Sequence, residues 1–536
     1  MSRRAWLLAA LVLFGAYVVL SLANDSQGFL GTDTGGKVAT LRVMRARHDA
    51  DPDVGYWAQR WDPSGSLHPL YYTNHIGKRW VNVTTLPALY AALPLYDAFG
   101  YRGALVVPML GGVLCALAAA ALARRLSAVD DGRLAFWVVG LASPVAIYAL
   151  DFWEHTVGLA CMAWAVVLLV DLVQRKRPSA WGIAAGALFG VAATMRTEAL
   201  VFGAVATALA CLLLLRTKIV TAIAVGAAVA VGLSVPLLAN QALEHAVLGA
   251  SLRSTRAEGT ISTAGAVTSS NRARDAAVTT LGATSAEDGR SLVLGAAVVL
   301  VAAYAAVRRD GRAWFVAAAL LLARTAAGLD FVPGFLVAAP AGVAGLALGW
   351  RRGPPAPLLV GIAVLALPLV WGVQFTGGAG PQWGGRYVLL SSLLLLVVGL
   401  VALGDASPAL RRGAVALSVL VTALGLAWMV ERTHEIARSA RRLEAEPAPL
   451  LVSRVAHLVR EGGAVHDLHR WLTAVTADDL QRVGVIADAN RFPEIAVVDL
   501  DGAHEPAQIG DLQRQRRTHT VELLSGTRLR IWTYRA

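Results

Sequence analysis

The chain has 536 residues, 56% of them apolar and 16% charged, with a formal net charge of +12 and a mean hydropathy of +0.56. Ordinary soluble domains carry about 25% charged residues, so this composition excludes a soluble enzyme and a disordered chain alike. Apolar runs of about 16 to 22 residues recur, long enough as helices to cross a hydrocarbon core of about 30 Å, and they predict a polytopic membrane protein.

Thirteen spans are predicted, near 5–23, 104–122, 133–150, 155–173, 180–195, 197–215, 218–239, 291–307, 313–331, 333–350, 356–374, 387–404 and 412–430. Residues 1–23 share features with a signal peptide, but the apolar stretch of about 19 residues exceeds the usual core of one, so a retained first span is expected. With Arg3 and Arg4 on the cytoplasmic side, every short basic connection falls inside: Arg124–Arg133, Arg175–Arg177, Arg216–Lys218, Arg308–Arg312, Arg351–Arg352 and Arg411–Arg412. These inside segments account for the whole net charge, so a nucleic-acid partner is not needed to explain it. Cys115, Cys161 and Cys211 all lie within predicted spans, which leaves neither a disulfide framework nor a metal knuckle.

Three segments on the other side are too long to be connectors: 24–103, 240–290 and 431–536. In the first, Thr84–Gly100 is apolar, broken by Pro87 and Pro94 and too short to span, as expected of a helix in the membrane interface. The second, with Ser251–Arg290 rich in Ser, Thr, Ala and Arg, reads as a mobile loop. The third has soluble composition, with predicted strands at Leu450–Val452, Trp471–Val475 and Ile495–Leu500, a hairpin Thr520–Leu524/Leu529–Tyr534 and a helix over Asp478–Ala487. The expected organisation is therefore a transmembrane domain over 1–430 and a small extracytoplasmic α/β domain over 431–536.

Charged residues at the outer span ends are informative, because burying one in a bilayer costs a few kcal/mol. Gly31-Thr32-Asp33-Thr34-Gly35-Gly36-Lys37 follows the first span; Asp33 could take a proton from a hydroxyl and Lys37 could meet a phosphate. An ordinary glycine turn with solvated charges fits the same spacing. Asp151-Phe152-Trp153-Glu154-His155 could hold a divalent cation or orient a hydroxyl acceptor; equally, Glu154 could serve the next helix N-terminus and His155 the interface. Met195-Arg196-Thr197-Glu198 could aim Arg196 into a cavity or form a loose surface ion pair. Gly377-Gly378-Ala379-Gly380-Pro381-Gln382-Trp383-Gly384-Gly385-Arg386-Tyr387 could line a cavity with backbone, with Arg386 clamping a phosphate or reaching toward headgroups. Arg324, inside the ninth predicted span, is expected to face the protein interior or water and is a candidate for a structural ion pair. His75 and the sequon Asn82-Val83-Thr84 are weaker candidates.

Taken together, these places resemble the GT-C superfamily of polyprenyl-phosphate-sugar-dependent glycosyltransferases, particularly bacterial relatives of protein O-mannosyltransferases and lipid arabinosyltransferases. The resemblance rests on Asp33 just past the first span, the long first outer loop, Pro144–Tyr148 with Trp153-Glu154-His155, Met195-Arg196-Thr197-Glu198, and Gln382-Trp383-Gly384-Gly385-Arg386-Tyr387. It covers about the first 430 residues. It departs from the family pattern in having a single Asp33, followed by Thr34, where a paired acidic signature is usual, and in the wider spacing of Asp151 and Glu154.

The resemblance implies an all-α polytopic GT-C fold in the cell membrane, with the N-terminus cytoplasmic and the small C-terminal α/β domain extracytoplasmic. It implies an inverting transfer of a hexose or pentose from a polyprenyl-phosphate sugar to a hydroxyl of a cell-envelope glycan, lipid or protein. Asp33 would be the base, Lys37, Arg196 and Arg386 the cations at the donor phosphate, and His75, Asp151, Glu154, His155, Glu198 and Trp383 substrate contacts. The scheme names no certain cofactor; a divalent cation, if used, would sit at Asp151 and Glu154. A transporter or flippase for a lipid-linked sugar is the main alternative, though the spans show no inverted repeat and the polar groups gather at the outer ends rather than at mid-membrane. A non-catalytic scaffold is the third.

Overall fold

The computed structural model describes residues 2–82, 85–127, 132–216, 218–252, 269–283, 289–326, 328, 331–373, 383–500, 506–522 and 528–535. The chain divides into two compact units, one of Met1–Ser21, Leu105–Ala242 and Ala257–Trp428, the other of Leu22–Ala104, Leu243–Arg256 and Met429–Ala536.

The first unit is helical. Across the described residues nine helices are long and apolar enough to cross a membrane: Arg3–Ser21, Val106–Leu126, His155–Val173, Glu198–Leu215, Ile219–Leu248, Gly289–Arg308, Ala356–Val373, Arg386–Ala406 and Pro408–Glu444. The multi-pass membrane class therefore stands, and among the described residues four of the thirteen expected spans are shorter or broken. The segment 133–150 is two pieces, Arg133–Leu141 and Pro144–Tyr148. Ser143 explains the break, since its hydroxyl donates to the Val139 carbonyl at 2.6 Å and accepts from the Val145 N–H at 3.2 Å. Pro144 then opens the new helix, where its missing N–H costs nothing. Segment 333–350 is likewise split into Phe335–Ala338 and Ala341–Leu348 around Ala339 and Pro340, and 180–195 and 313–331 become the 15-residue helices Trp181–Met195 and Arg312–Ala326.

Burial sorts these helices. Leu389–Ala406 is enclosed over most of its length and packs against Ala341–Leu348 and Ala356–Val373. Ile219–Leu248 instead exposes Ile219, Val220, Ile223, Val231, Val235 and Leu238, an apolar face suited to lipid rather than water. Ser251–Arg290 is not simply a loop, because Ser269–Leu281 forms a helix; its Arg and Ala content favours one. Arg324 sits in the last turn of Arg312–Ala326, not at mid-span, and donates to the Gly328 carbonyl at 3.2 Å.

The second unit is built on a six-stranded mixed sheet. Its order is Arg470–Thr473, Leu450–Ser453, Glu494–Leu500, Arg528–Arg535, Leu512–Glu522, Gln508–Ile509. The first three strands are parallel and the rest antiparallel. Parallel strands are covered on both faces and so read as continuous apolar runs, as Leu450-Leu451-Val452 and Ile495-Ala496-Val497-Val498 do. The helix Ala477–Ala489 starts at a capping box in which Thr476 and Asp479 exchange side chain-to-backbone bonds of 3.0 and 3.1 Å.

One face of the sheet buries Val452, Leu472 and Val497 against Leu480, Val483 and Ile486 of that helix, together with Ala58 and Leu67. The opposite face buries Leu451, Ala496, Val498 and Ile531 with Ala39, Val54, Leu70, Trp80, Ala440 and Leu443. The first long loop thus supplies core to both faces of the sheet, in a unit assembled from three chain segments. Residues 86–104 form the helix Leu86–Ala104, with Pro94 inside it and a kink at Gly100.

Candidate active site

In the second unit, Asp33 lies in the first turn of the helix Thr32–Arg47, whose N-cap, Gly31, is extended. Its carboxylate is a third exposed (34%), and Oδ1 stands 3.1 Å from Nη2 of the buried Arg460. The same guanidinium donates to Thr32 Oγ1 at 3.1 Å and to Asn82 Oδ1 at 3.3 Å, and its Cζ lies 5.2 Å from the centre of the Tyr72 ring. Arg460 comes from the helix Leu458–Glu461, which follows the parallel strand Leu450–Ser453. Asp33 is therefore a carboxylate held by a buried guanidinium, not a solvated turn residue.

The glycines of Asp33-Thr34-Gly35-Gly36 have a packing reason. A Cβ on Gly35 would strike the Arg460 carbonyl oxygen, and one on Gly36 would lie 2.9 Å from Arg460 Nε and closer still to Asn82 Oδ1. They let the Arg460 segment approach helix Thr32–Arg47. Lys37, one turn after Asp33, is buried. Asn82 is buried too, its Nδ2 donating to the Tyr71 carbonyl and to Thr73 Oγ1 at 3.1 and 3.0 Å; the rest of the sequon, residues 83 and 84, lies outside the described residues. His75, exposed in the strand Thr73–Ile76, stacks on Trp80 with ring centres 4.5 Å apart. His457 lies 4.6 Å from Tyr71 ring to ring, and burial and the nearby Arg460 hold its pKa below the ordinary value.

In the first unit, three separated sequence motifs meet. Arg196, capping the C-terminus of Trp181–Met195, donates from Nε to Glu198 Oε1 at 2.8 Å and from Nη1 to Glu154 Oε1 at 3.4 Å. All three side chains are buried. Taking an ion pair out of water costs desolvation that close charge contact must offset, and here two carboxylates share one guanidinium, so the group as a whole is negative. Arg196 is thus no loose surface pair. Gly158 makes room for it, since a Cβ there would lie 2.9 Å from Arg196 Cγ.

Arg196 and Arg386 flank Tyr387, with guanidinium-to-ring distances of 5.1 and 4.6 Å. Arg386 Nη2 also stands 2.7 Å from the Tyr387 hydroxyl. Gly385, at φ +66°, turns the chain into the short helix Arg386–Val388 in a conformation that only glycine adopts cheaply. The preceding glycine-rich residues, 377–382, lie outside the described residues. Asp151 is fully buried, and Tyr148, Trp153 and His155 form an aromatic group with ring centres 4.9 to 5.2 Å apart.

Among the described residues, the Tyr148 hydroxyl, Trp153 Nε1 and Glu198 Oε2 are buried with no hydrogen-bond partner, a state that favours a bound polar group or water. Trp383 stacks on Trp428 at 5.5 Å beside a small apolar recess lined also by Leu321, Phe331 and Val421. Glu154 faces Arg196, and among the described residues no group of three or more His, Cys, Asp or Glu is placed to hold a metal ion.

Sequence reasoning missed Arg460, Tyr72 and His457. Arg460 meets Thr32 across 428 positions, and nothing local in its own sequence marks it.

No family model matches the chain, and no curated protein is significantly similar to it. Among solved structures it is similar to ArnT from Cupriavidus metallidurans bound to undecaprenyl phosphate, at 13% identity over 99% of this chain and 98% of that one, with a TM-score of 0.44. It is also similar to the Archaeoglobus fulgidus oligosaccharyltransferase complexed with zinc and sulfate, at 12% identity over 90% and 67% of the two chains, with a TM-score of 0.46. The oligosaccharyltransferase AglB of the same organism, in complex with an inhibitory peptide and a dolichol-phosphate, gives 11% over 91% and 69%, with a TM-score of 0.45. At such identities and TM-scores these likenesses carry no residue role or activity to this chain.

Proposed function

We propose that this protein is an inverting glycosyltransferase of the GT-C type, moving a sugar from a polyprenyl-phosphate donor to a hydroxyl acceptor at the extracytoplasmic face of the membrane. The observation that carries the proposal is Asp33: of the carboxylates singled out in the sequence it alone is substantially exposed, whereas Asp151, Glu154 and Glu198 are buried. A hydroxyl can therefore reach it, while Arg460 holds its other side.

In the proposed reaction Asp33 takes the acceptor hydroxyl proton as that oxygen bonds to the anomeric carbon. The bond from that carbon to the phosphate oxygen breaks, and polyprenyl phosphate leaves with the electron pair. The leaving group is already anionic, so a carboxylic acid to protonate it, as in a glycosidase, is unnecessary. Cations stabilise it instead. Lys37, one turn after Asp33 on the same helix, is the first candidate, and Arg386 is proposed on the family resemblance alone. The charge of Arg196 is already matched by Glu154 and Glu198, which suits it to shaping Tyr387 and its surroundings as much as to meeting phosphate.

Asp151, Glu154, His155, Glu198 and Trp383 are proposed to form the substrate cavity, and His75 an outlying contact. A lipid-borne donor fits a chain of this hydropathy, since drawing a polyprenyl tail into water costs about 0.8 kcal/mol per CH₂.

The test is a donor panel. Membranes containing the protein are given radiolabelled sugars as polyprenyl phosphates and as nucleotide sugars. Transfer from a polyprenyl phosphate alone is expected; transfer from nucleotide sugars alone would overturn the donor class.

A further inference from the structure

We propose that Tyr71, Tyr72 and His457, beside the Asp33–Arg460 pair, form a binding site for a neutral sugar ring, so that the hydroxyl acceptor is a glycan. That the sugar is the acceptor rests on the glycosyltransferase reading; that a sugar binds here rests on the site itself.

Tyr71 and Tyr72 are 40% and 44% exposed, with ring centres 4.4 Å apart, and His457 lies 4.6 and 6.0 Å from them. This continuous aromatic surface reaches solvent next to a partly exposed carboxylate held by a buried guanidinium. A pyranose or furanose ring has the matching shape, with an apolar C–H face to lie on aromatic rings and a hydroxyl edge that needs acceptors and donors.

The site is rigid before any ligand arrives. Asn82 joins its two halves, accepting from Arg460 and donating to the Tyr71 carbonyl and to Thr73. Tyr72 has φ +66°, a left-handed backbone that is costly for an aromatic residue and would be easy for glycine. A tyrosine at such a position, where glycine would be less strained, points to a use for its ring. Arg460 lies 5.2 Å from that ring, fixing its face.

Charge selects a neutral ligand. The Arg460 guanidinium is already matched by Asp33, so an entering anion would meet a carboxylate and a compensated cation. Burial and Arg460 hold the His457 pKa down, so near neutral pH it contributes a ring and no positive charge. A phosphate or a uronic acid is disfavoured on the same grounds.

The experiment uses the full-length protein in lipid nanodiscs, without donor, and methyl glycosides of mannose, glucose, galactose and arabinose read by saturation-transfer NMR. At least one should bind, Tyr72→Phe should bind within about twofold of wild type, and Tyr72→Gly and Tyr71→Ala should weaken binding at least tenfold. Tyr72→Gly suits the backbone and should fold, which thermal melting checks. Inorganic phosphate should not compete. Absence of binding by every neutral glycoside, unchanged binding in Tyr72→Gly, or competition by phosphate would each overturn the site. If glycosides bind as expected but no lipid-linked donor supports transfer, the proposed activity fails and the sugar site stands. Transfer with an unchanged acceptor KM in Tyr72→Gly would sink the site and leave the activity.

Discussion

Arg460 Nη2 lies 3.1 Å from Asp33 Oδ1, and the same buried guanidinium reaches Thr32 and Asn82, so one side chain from the C-terminal segment fixes the carboxylate that follows the first helix. Arg460→Met removes all three contacts and leaves Asn82 Oδ1 short of a donor. A stability loss of about 1–3 kcal/mol is expected in detergent melts, toward the lower end because water can reach Asp33. Arg460→Lys should recover only part of it, since an ammonium cannot span three acceptors in the plane of a guanidinium. A melting temperature unchanged by Arg460→Met would contradict this role.

The glycines after Asp33 separate folding from positioning. In Gly35→Ala the new methyl meets backbone, which cannot swing aside, and a loss of about 1–3 kcal/mol is expected. In Gly36→Ala it meets the ends of Asn82 and Arg460, which can move. That variant should melt closer to wild type yet lose sugar transfer, because the move takes Arg460 off Asp33. Comparing melting with initial rates for the two variants tests the distinction.

In the first unit, Arg196→Met leaves Glu154 and Glu198 buried around a missing cation. Breaking a buried pair in this way costs about 3–5 kcal/mol, so the variant should be poorly folded. Glu198→Gln keeps an acceptor for Arg196 and should be far milder. If both variants melt alike, the cluster is not the buried ion group described.

Acid should destabilise the second unit. Burial and the neighbouring His466 push His68 down to about 3, although it hydrogen-bonds Gly55 and Leu70. Burial takes His466 down to about 4. Histidine in an unfolded chain titrates near about 6.5. Below that pH the unfolded chain binds protons that the folded one refuses, so the stability is fully present above about pH 6.5 and falls as pH drops toward 4. Melting curves between pH 7.5 and 4.5 should show the decline, with a shallower slope in His68→Asn; a flat profile would contradict it.

Much of this was legible in the sequence because it is periodic or local. Lipid-facing and buried helices announce themselves by length and apolarity, and the strands Leu450–Ser453 and Glu494–Leu500 by short apolar runs. Ser143-Pro144 marks its own break. The helix Ser269–Leu281 was missed because its polar, Ser- and Thr-rich flanks outweighed its short run of helix formers. The role of residues 24–103 as sheet core was illegible for another reason: Ala58, Leu67, Leu70 and Trp80 sit singly among polar residues, and only the fold gathers them. Asp33 could be picked out beside its glycines; its partner Arg460 could not, since pairing between distant segments leaves no trace in either one.

The most direct measurement is the initial rate of sugar transfer from a polyprenyl-phosphate donor in proteoliposomes carrying wild type or Asp33→Asn, with melting temperatures recorded for both. A group that removes a proton in the transition state is worth about 10²–10⁴ in rate. The account predicts a loss of that size in Asp33→Asn with melting little changed. A folded Asp33→Asn protein that transfers sugar at the wild-type rate would contradict it.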